Sequence, residues 1–353
     1  KADIPARQPF HELPRRPSKV LADTMGRPLR DLRISVIDRC NFRCRYCMPR
    51  EVFGTDYQYL PRPEILSFEE IDRLVSLLVP LGIEKIRLTG GEPLLRRDFP
   101  TLVAMLAKHG VELALTTNGA PLAGMAEELV VAGLDRVTVS LDALDEETFQ
   151  SMSDTETSVA EVLAGIDAAV AAGLSPVKVN AVICRGVNEH AVDDLFEHFR
   201  GTDVTVRFIE YMDVGASNKW RAEEVVSGAE ILHILAESHE FEPVAESVVG
   251  QVAKLWRTKE GDEVGLITSV SEPFCGDCCR ARLSSSGELY TCLFAETGFD
   301  LKGPLRTGAS DRELQELVRS VWLGRRDRYS EERGEGNDGP RLILPVEMSH
   351  IGG

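Results

Sequence analysis

Short apolar runs rich in Val, Ile, Leu and Thr alternate with helix-period segments along the first two thirds of the chain, and this alternation restricts the fold most. The strand candidates are residues 32–37, 84–89, 112–117, 136–141, 177–183 and 204–210. Between them lie amphipathic segments at 69–81, 99–108, 125–132, 159–172 and 190–199. The apolar character of the strand candidates suits parallel strands covered on both faces. Ser67 ahead of Glu69 and Glu70, and Gly82 behind that segment, are helix start and stop signals. Strand followed by helix, repeated six times, implies right-handed parallel crossovers. Six units fall two short of a closed eight-stranded barrel. The expectation is an α/β fold, a partial (β/α)6 TIM-like barrel with a C-terminal extension.

Loops at the carboxyl ends of the strands carry the ligands in folds of this kind. The first strand leads into DRCNFRCRYCMP, with Cys40, Cys44 and Cys47. GGEP (Gly90, Gly91, Glu92, Pro93) follows the second strand and TTNG the third; SLD, with Ser140 and Asp142, ends the fourth. Lys178 and Asn180 lie in the fifth, and the sixth ends RFIEYMD with Met212 at its tip. A second triplet, Cys275, Cys278 and Cys292, stands in FCGDCCRARLSSSGELYTCLF. Structural zinc takes four protein ligands, and cubane iron–sulfur clusters are held by four thiolates. Three cysteines on a four-iron cluster leave one iron to a ligand that is not protein. That points to chemistry, and the expected extension is an iron–sulfur one.

Hydrophobic content of 43% fits a full-sized globular core. The net charge of −17 argues against a general binder of nucleic acid or membrane surface. An anionic substrate therefore needs basic residues gathered locally. No apolar run approaches ~20 residues, and the opening segment KADIPARQPFHELPRRP lacks a secretory signal's apolar stretch. Eight cysteines without such a signal suit a reducing compartment, so the expected location is cytoplasmic, with no membrane partner. The expected division is an N-terminal arm (1–28), the barrel (29–245) and an auxiliary-cluster domain ending in a diglycine tail (246–353).

Cys40-x3-Cys44-x2-Cys47, with Tyr46 before the last cysteine and GGEP after the next strand, resembles the radical S-adenosylmethionine (SAM) superfamily. The second triplet with the run Arg280-Ala281-Arg282, together with Gly352-Gly353, narrows the resemblance to the GTP 3′,8-cyclase family of molybdenum cofactor biosynthesis. It covers the chain from about Leu29 to the last residue. The resemblance implies two 4Fe–4S clusters, one on Cys40, Cys44 and Cys47 binding SAM, the other on Cys275, Cys278 and Cys292 binding the guanine of GTP. It implies Tyr46, Gly91, Ser140 and Met212 for the SAM pocket. For GTP it implies Arg33, Arg87, Thr116, Lys178, Arg280, Ala281 and Arg282, with Arg280 and Arg282 also the catalytic candidates. The implied lyase reaction cleaves SAM reductively to a 5′-deoxyadenosyl radical, removes hydrogen from C3′ of the ribose and closes on C8. Its product is (8S)-3′,8-cyclo-7,8-dihydroguanosine 5′-triphosphate. Implied partners are a one-electron reductase or flavodoxin-like donor, the downstream cyclic pyranopterin monophosphate synthase, and a second copy in a homodimer.

The residues carry readings of their own. Two adjacent glycines let a ligand approach the backbone closely, or simply make a turn. Arg280 and Arg282 sit two apart, so on a strand both project to one face. Arg33, Arg87 and Lys178 lie in separate strands: either they point inward, which is costly without a partner, or they are solvated surface charges. Arg39 and Arg43 are placed to offset thiolate charge. Cys279 reads as a bystander to Cys278, and Cys184 as a small buried hydrophobe. Residues 153–157 (SDTET) are more acidic than the family's loop there, so no function is carried onto them. The segment PVEMSHIGG is expected to insert into the site and not to fray. Two other function classes stay open. Another radical SAM enzyme would share the first triplet and GGEP but gives no reason for the Arg280/Arg282 spacing. A zinc or electron-transfer module would need fourth ligands that the histidines do not supply near either triplet.

Overall fold

The computed structural model describes residues 20–245, 250–333 and 345–353; residues 1–19 of the expected arm and part of the polar loop before residue 345 lie outside them. Six strands, β1 (Asp31–Ser35), β2 (Lys85–Thr89), β3 (Glu112–Thr117), β4 (Arg136–Ser140), β5 (Val177–Ile183) and β6 (Val204–Glu210), lie side by side in chain order. Each runs parallel to the next. Helices α1 (Phe68–Leu78), α2 (Phe99–Ala107), α3 (Ala126–Ala132), α4 (Glu146–Ser153), α5 (Val159–Ala171) and α6 (Ala191–Phe199) fill the crossovers. Their starts follow local chemistry. Ser67 Oγ accepts from the Glu70 amide at 3.1 Å while the Glu70 carboxylate accepts from the Ser67 amide at 2.7 Å, closing a capping box. The helix expected to reach residue 81 ends at Leu78, and a 3-10 turn over Val79–Leu81 contains Pro80, which has no amide hydrogen to donate to the ladder. The sequence reading passed over α4, a short helix whose Asp145 cap accepts from the Thr148 amide at 2.8 Å.

The strands are not apolar on both faces. Outward residues such as Leu32, Ile34, Ile86, Leu88, Leu113, Leu115, Val137 and Val139 are buried under the helices. The alternate residues, among them Arg33, Arg87, Thr116 and Lys178, turn inward and line a cavity. The core is thus the layer between sheet and helices, and the barrel's inside is polar.

The chain beyond β6 does more than append. After α7 (Gly228–Ala236) come β7 (Phe241–Pro243), β8 (Lys254–Thr258), β9 (Glu263–Ile267), β10 (Arg280–Leu283), β11 (Glu288–Tyr290) and β12 (Phe299–Asp300). All join one twelve-stranded sheet in the order β12-β11-β10-β1-β2-β3-β4-β5-β6-β9-β8-β7. β9 pairs parallel to β6 and β10 parallel to β1, so the extension adds a strand to each open edge of the arc. Helices α8 (Lys302–Arg306) and α9 (Asp311–Leu323) come next, and α9 packs on α1, where Gln315 donates to the Leu77 carbonyl at 3.0 Å. Among the described residues no helix is long and apolar enough to cross a membrane.

Candidate active site

One cavity of about 1310 Å³ runs through the arc and is lined by both cysteine triplets. Tyr46, Gly91, Ser140, Met212, Arg33, Arg87, Thr116, Lys178, Arg280 and Arg282 line it too. Ala281 does not: its methyl faces the hydrophobic core while its two neighbours face the cavity.

Cys40, Cys44 and Cys47 occupy the loop after β1. The turn is tightened by Cys47 and Met48 amides donating to the Cys44 carbonyl at 3.0 and 2.9 Å. Arg43 braces it, giving its guanidinium to the carbonyls of Cys40 (2.7 Å) and Phe53 (2.6 Å), and its charge also favours the Cys40 thiolate. Arg39 does not serve that purpose; it is exposed, over the Tyr59 ring at 5.5 Å. Burial, and then the Glu92 carboxyl, push the Cys40 thiol up to about 12. Cys44 and Cys47 are raised further, by burial and then by Cys40. Three thiols packed this way ionise only against a shared positive centre, which is the condition a cluster meets. Among the described residues no three His, Cys, Asp or Glu side chains close round a single ion position. A cubane needs one thiolate per iron about a wider space, so the donor set fits a cluster better than a lone zinc ion.

The two glycines of GGEP have a use the sequence did not reveal. A Cβ on Gly91 would stand 2.2 Å from the Arg39 carbonyl oxygen, and one on Gly90 2.5 Å from that of Ile37. Gly91 and Glu92 amides donate to those carbonyls, Ile37 and Arg39, at 2.7 and 2.8 Å. Bare backbone here lets the cysteine loop itself dock on the β2 loop. Glu92 is buried and accepts from Thr117 Oγ1 and the Asn118 amide, both at 2.7 Å; burial raises its carboxyl to about 7 against those bonds. Tyr46 gives its hydroxyl to Asp142 at 2.9 Å, so its ring lines the cavity with its polar end engaged.

In the middle of the barrel the register sets a row of cations. Arg282, Arg33 and Arg87 are direct neighbours on β10, β1 and β2. Lys178 and Arg207 face them from β5 and β6. Arg87 is held by Thr116 Oγ1 at 3.0 Å and Thr138 Oγ1 at 3.3 Å, and Arg207 by Asn180 Oδ1 at 2.9 Å. Among the described residues none of these five cations has an ion-pair partner, although Lys85 and Arg136 beside them pair with Asp31 and Glu112. Burial first, then Arg207, Arg136 and Arg87, lower Lys178 to about 7. Arg207 escaped the sequence reading because RFIE was taken whole as a strand end. The signal lay in the alternation: Val204, Val206 and Phe208 face the core, so Arg207 faces in. The surface-charge alternative for Arg33, Arg87 and Lys178 is overturned, since all three enter the cavity.

The second triplet sits among arginines. Burial alone would raise Cys278, but Arg280 and Arg325 overcome it and bring the thiol down to about 6. Cys292 is pushed up to about 12, mainly by burial. Cys279 is buried; a Cβ on Gly250 would stand 2.4 Å from its sulfur, and its carbonyl accepts from Arg30 and Asp31 amides at 3.1 Å. Cys184 is buried with Tyr46, Met152 and Tyr211. The acidic loop has a local use: Asp154 takes two bonds from Arg50 of the cysteine loop, at 2.6 and 2.7 Å. The last residues reach the cavity. Glu347 accepts from Ser217 Oγ at 2.9 Å, Arg282 donates to the Gly352 carbonyl, and Gly353 lines the wall.

Two family models match the chain: the Radical SAM superfamily over residues 34–199 and Molybdenum Cofactor Synthesis C over 204–331. A GTP 3′,8-cyclase of Acidothermus cellulolyticus is 50% identical over 358 residues, spanning 94% of this chain and 99% of that protein. One of Staphylococcus saprophyticus is 47% identical over 337 residues, with the same coverage of each. Among solved structures, Streptococcus suis SuiB bound to S-adenosylmethionine superposes with a TM-score of 0.57 at 14% identity, over 83% of this chain and 68% of that one. That likeness extends to the fold alone. The sequence relatives go further: this chain belongs to the GTP 3′,8-cyclase family of the radical SAM superfamily.

Proposed function

We propose that this chain converts GTP, with SAM, to (8S)-3′,8-cyclo-7,8-dihydroguanosine 5′-triphosphate by loss of hydrogen from C3′ and closure on C8. This is the first step of molybdenum cofactor biosynthesis, and the relatives' printed activity supports it. The observation that carries the substrate is the inward row Arg282, Arg33, Arg87, Lys178 and Arg207, buried or half-buried and with no ion-pair partner among the described residues. Such charges are costly inside a protein unless a ligand supplies the opposite sign. A triphosphate does, accepting charge-assisted and bidentate bonds.

When bound, the cluster on Cys40, Cys44 and Cys47 supplies the electron that turns SAM into a radical source. The chain's residues orient and shield. Gly91, Ser140, Met212 and the Tyr46 ring shape the SAM wall, and the carboxyls of Glu92 and Asp142 suit the neighbourhood of a sulfonium cation. Arg280 and Arg282 steer GTP from the opposite side, with Arg33, Arg87 (set by Thr116), Lys178 and Arg207 holding phosphates and Ala281 contributing backbone alone. Fixing C3′ within reach of the SAM side and keeping water out is the protein's main share of the catalysis. Cys275, Cys278 and Cys292 would hold a second 4Fe–4S cluster, which would offer an iron to the guanine of GTP, and Cys279 stays a bystander. Gly352 and Gly353 complete the wall on the Arg282 side. The arm, barrel and auxiliary-cluster divisions at 28 and 245 follow these roles. A cytoplasmic location, a flavodoxin-like or reductase electron donor, a homodimer and delivery to the cyclic pyranopterin monophosphate synthase complete the reading. Anaerobic incubation of the holoprotein with SAM, GTP and a strong reductant should give 5′-deoxyadenosine and the cyclised nucleotide together. 5′-Deoxyadenosine without any GTP-derived product would reject the substrate assignment and favour another radical SAM reaction.

A further inference from the structure

A buried ion network behind the second triplet takes no part in the mechanism above. Arg325, just past α9, has a side chain only 1% exposed. Its Nη1 donates to the Cys278 carbonyl at 2.6 Å and its Nη2 to Cys278 Sγ at 3.1 Å. The guanidinium lies over the Trp322 ring at 4.6 Å and keeps longer contacts to Asp23 (3.5 Å) and Asp327 (3.4 Å). Asp23 is fixed by Arg27 Nε at 2.6 Å, and Arg27 Nη1 in turn holds the Cys275 carbonyl at 2.9 Å. Trp322 Nε1 closes the ring on the Arg27 carbonyl at 3.2 Å. Two arginines distant in sequence therefore share one carboxylate and grip the backbone of two cysteines. Of the two, Arg325 also reaches a sulfur.

A guanidinium that gives its shortest bonds to a cysteine, and its longer ones to carboxylates, is aimed at that cysteine. Donation to a metal-bound thiolate draws charge off the sulfur and favours the reduced, more negative state of a cluster, while fixing the ligand's orientation. We propose that Arg325 is a positioning residue that locks Cys278 and raises the reduction potential of the cluster held by Cys275, Cys278 and Cys292. The inference rests on the reading of that triplet as a cluster site. Arg280, which faces the same sulfur, also faces the cavity and has a substrate role. Arg325 borders the same cavity, but its guanidinium is already engaged by Cys278, Asp23 and Asp327, so it serves the cysteine and not the substrate.

The test is an EPR-monitored redox titration of anaerobic, full-length holoprotein, with iron counted in each sample. R325M should lower the second cluster's potential by at least 59 mV, the equivalent of a tenfold change for a one-electron couple. The cluster on Cys40, Cys44 and Cys47 should stay at its own potential as an internal reference. R325K, which keeps the charge but loses the fork, should fall between. A second-cluster potential unchanged in an R325M protein with full iron would overturn the proposal. If R325M loses half its iron, R325K decides: a downward shift supports the inference, and the wild-type potential overturns it. Wild-type protein holding one cluster alone, about four irons, rejects the two-cluster reading itself, which is a different failure.

Discussion

The two cysteine triplets share a ligand count and face one cavity, yet the balance of charge around them differs. At Cys40, Cys44 and Cys47 burial first, then neighbouring thiols and the Glu92 and Asp142 carboxyls, outweigh Arg43 and raise the thiols. Around Cys278 stand Arg280 and Arg325, which bring it down to about 6. On the proposed reading, the charge around each triplet helps to select the ligand that approaches it. The acidic side suits a sulfonium, the basic side a polyanion, and the cation row of β10, β1 and β2 continues that basic side into the barrel.

The largest effects should come from removing one thiol on each side. C44S should abolish 5′-deoxyadenosine formation and halve the roughly eight irons, whereas C275S should halve the iron but leave reductive SAM cleavage measurable without cyclisation. Equal loss of SAM cleavage in both would erase the division of labour. Next come the cations. R87L or R207L should weaken GTP binding by about ten- to a hundredfold, about 1.5–3 kcal/mol for a lost bond to a charged group, with SAM affinity unchanged. Guanosine, which lacks phosphates, should bind the variants and the parent alike by calorimetry.

A smaller effect concerns pH. Lys178 is lowered to about 7 in the ligand-free site, so above that pH the free site has lost this charge, and a bound triphosphate restores it. Binding then takes up a proton. GTP affinity should fall as pH rises past about 7, by up to tenfold per unit, and K178M should lose that part of the slope. Calorimetry in buffers of different ionisation enthalpy reads the proton directly. The smallest effect expected is C279A, with iron content and turnover both unchanged.

The strand–helix alternation made the central arc legible, and three strands, β3, β5 and β6, begin and end where the sequence pattern put them. What stayed hidden was register. A six-residue apolar run conceals which alternate positions face inward, so Arg207, Lys85 and Arg136 did not register as lining a site. β9 and β10, which flank the six-stranded arc, escaped for a different reason: the regular strand–helix alternation stops after β6, and both pair with strands far away in the chain. The glycines of GGEP were rightly singled out, but their tight packing is against the cysteine loop's own backbone, a contact between distant segments that local pattern cannot show.

The seam between β1 and β10 joins strands from opposite ends of the chain. During synthesis the arc emerges with β1 and β6 as bare, parallel-pairing borders until the last third is made. Long-range closure of this kind is slow and leaves strands open to mispairing. Maturation of this protein should therefore depend on how long the nascent chain is shielded, and metal loading on Cys275 and Cys278, which flank that seam, would follow its closure.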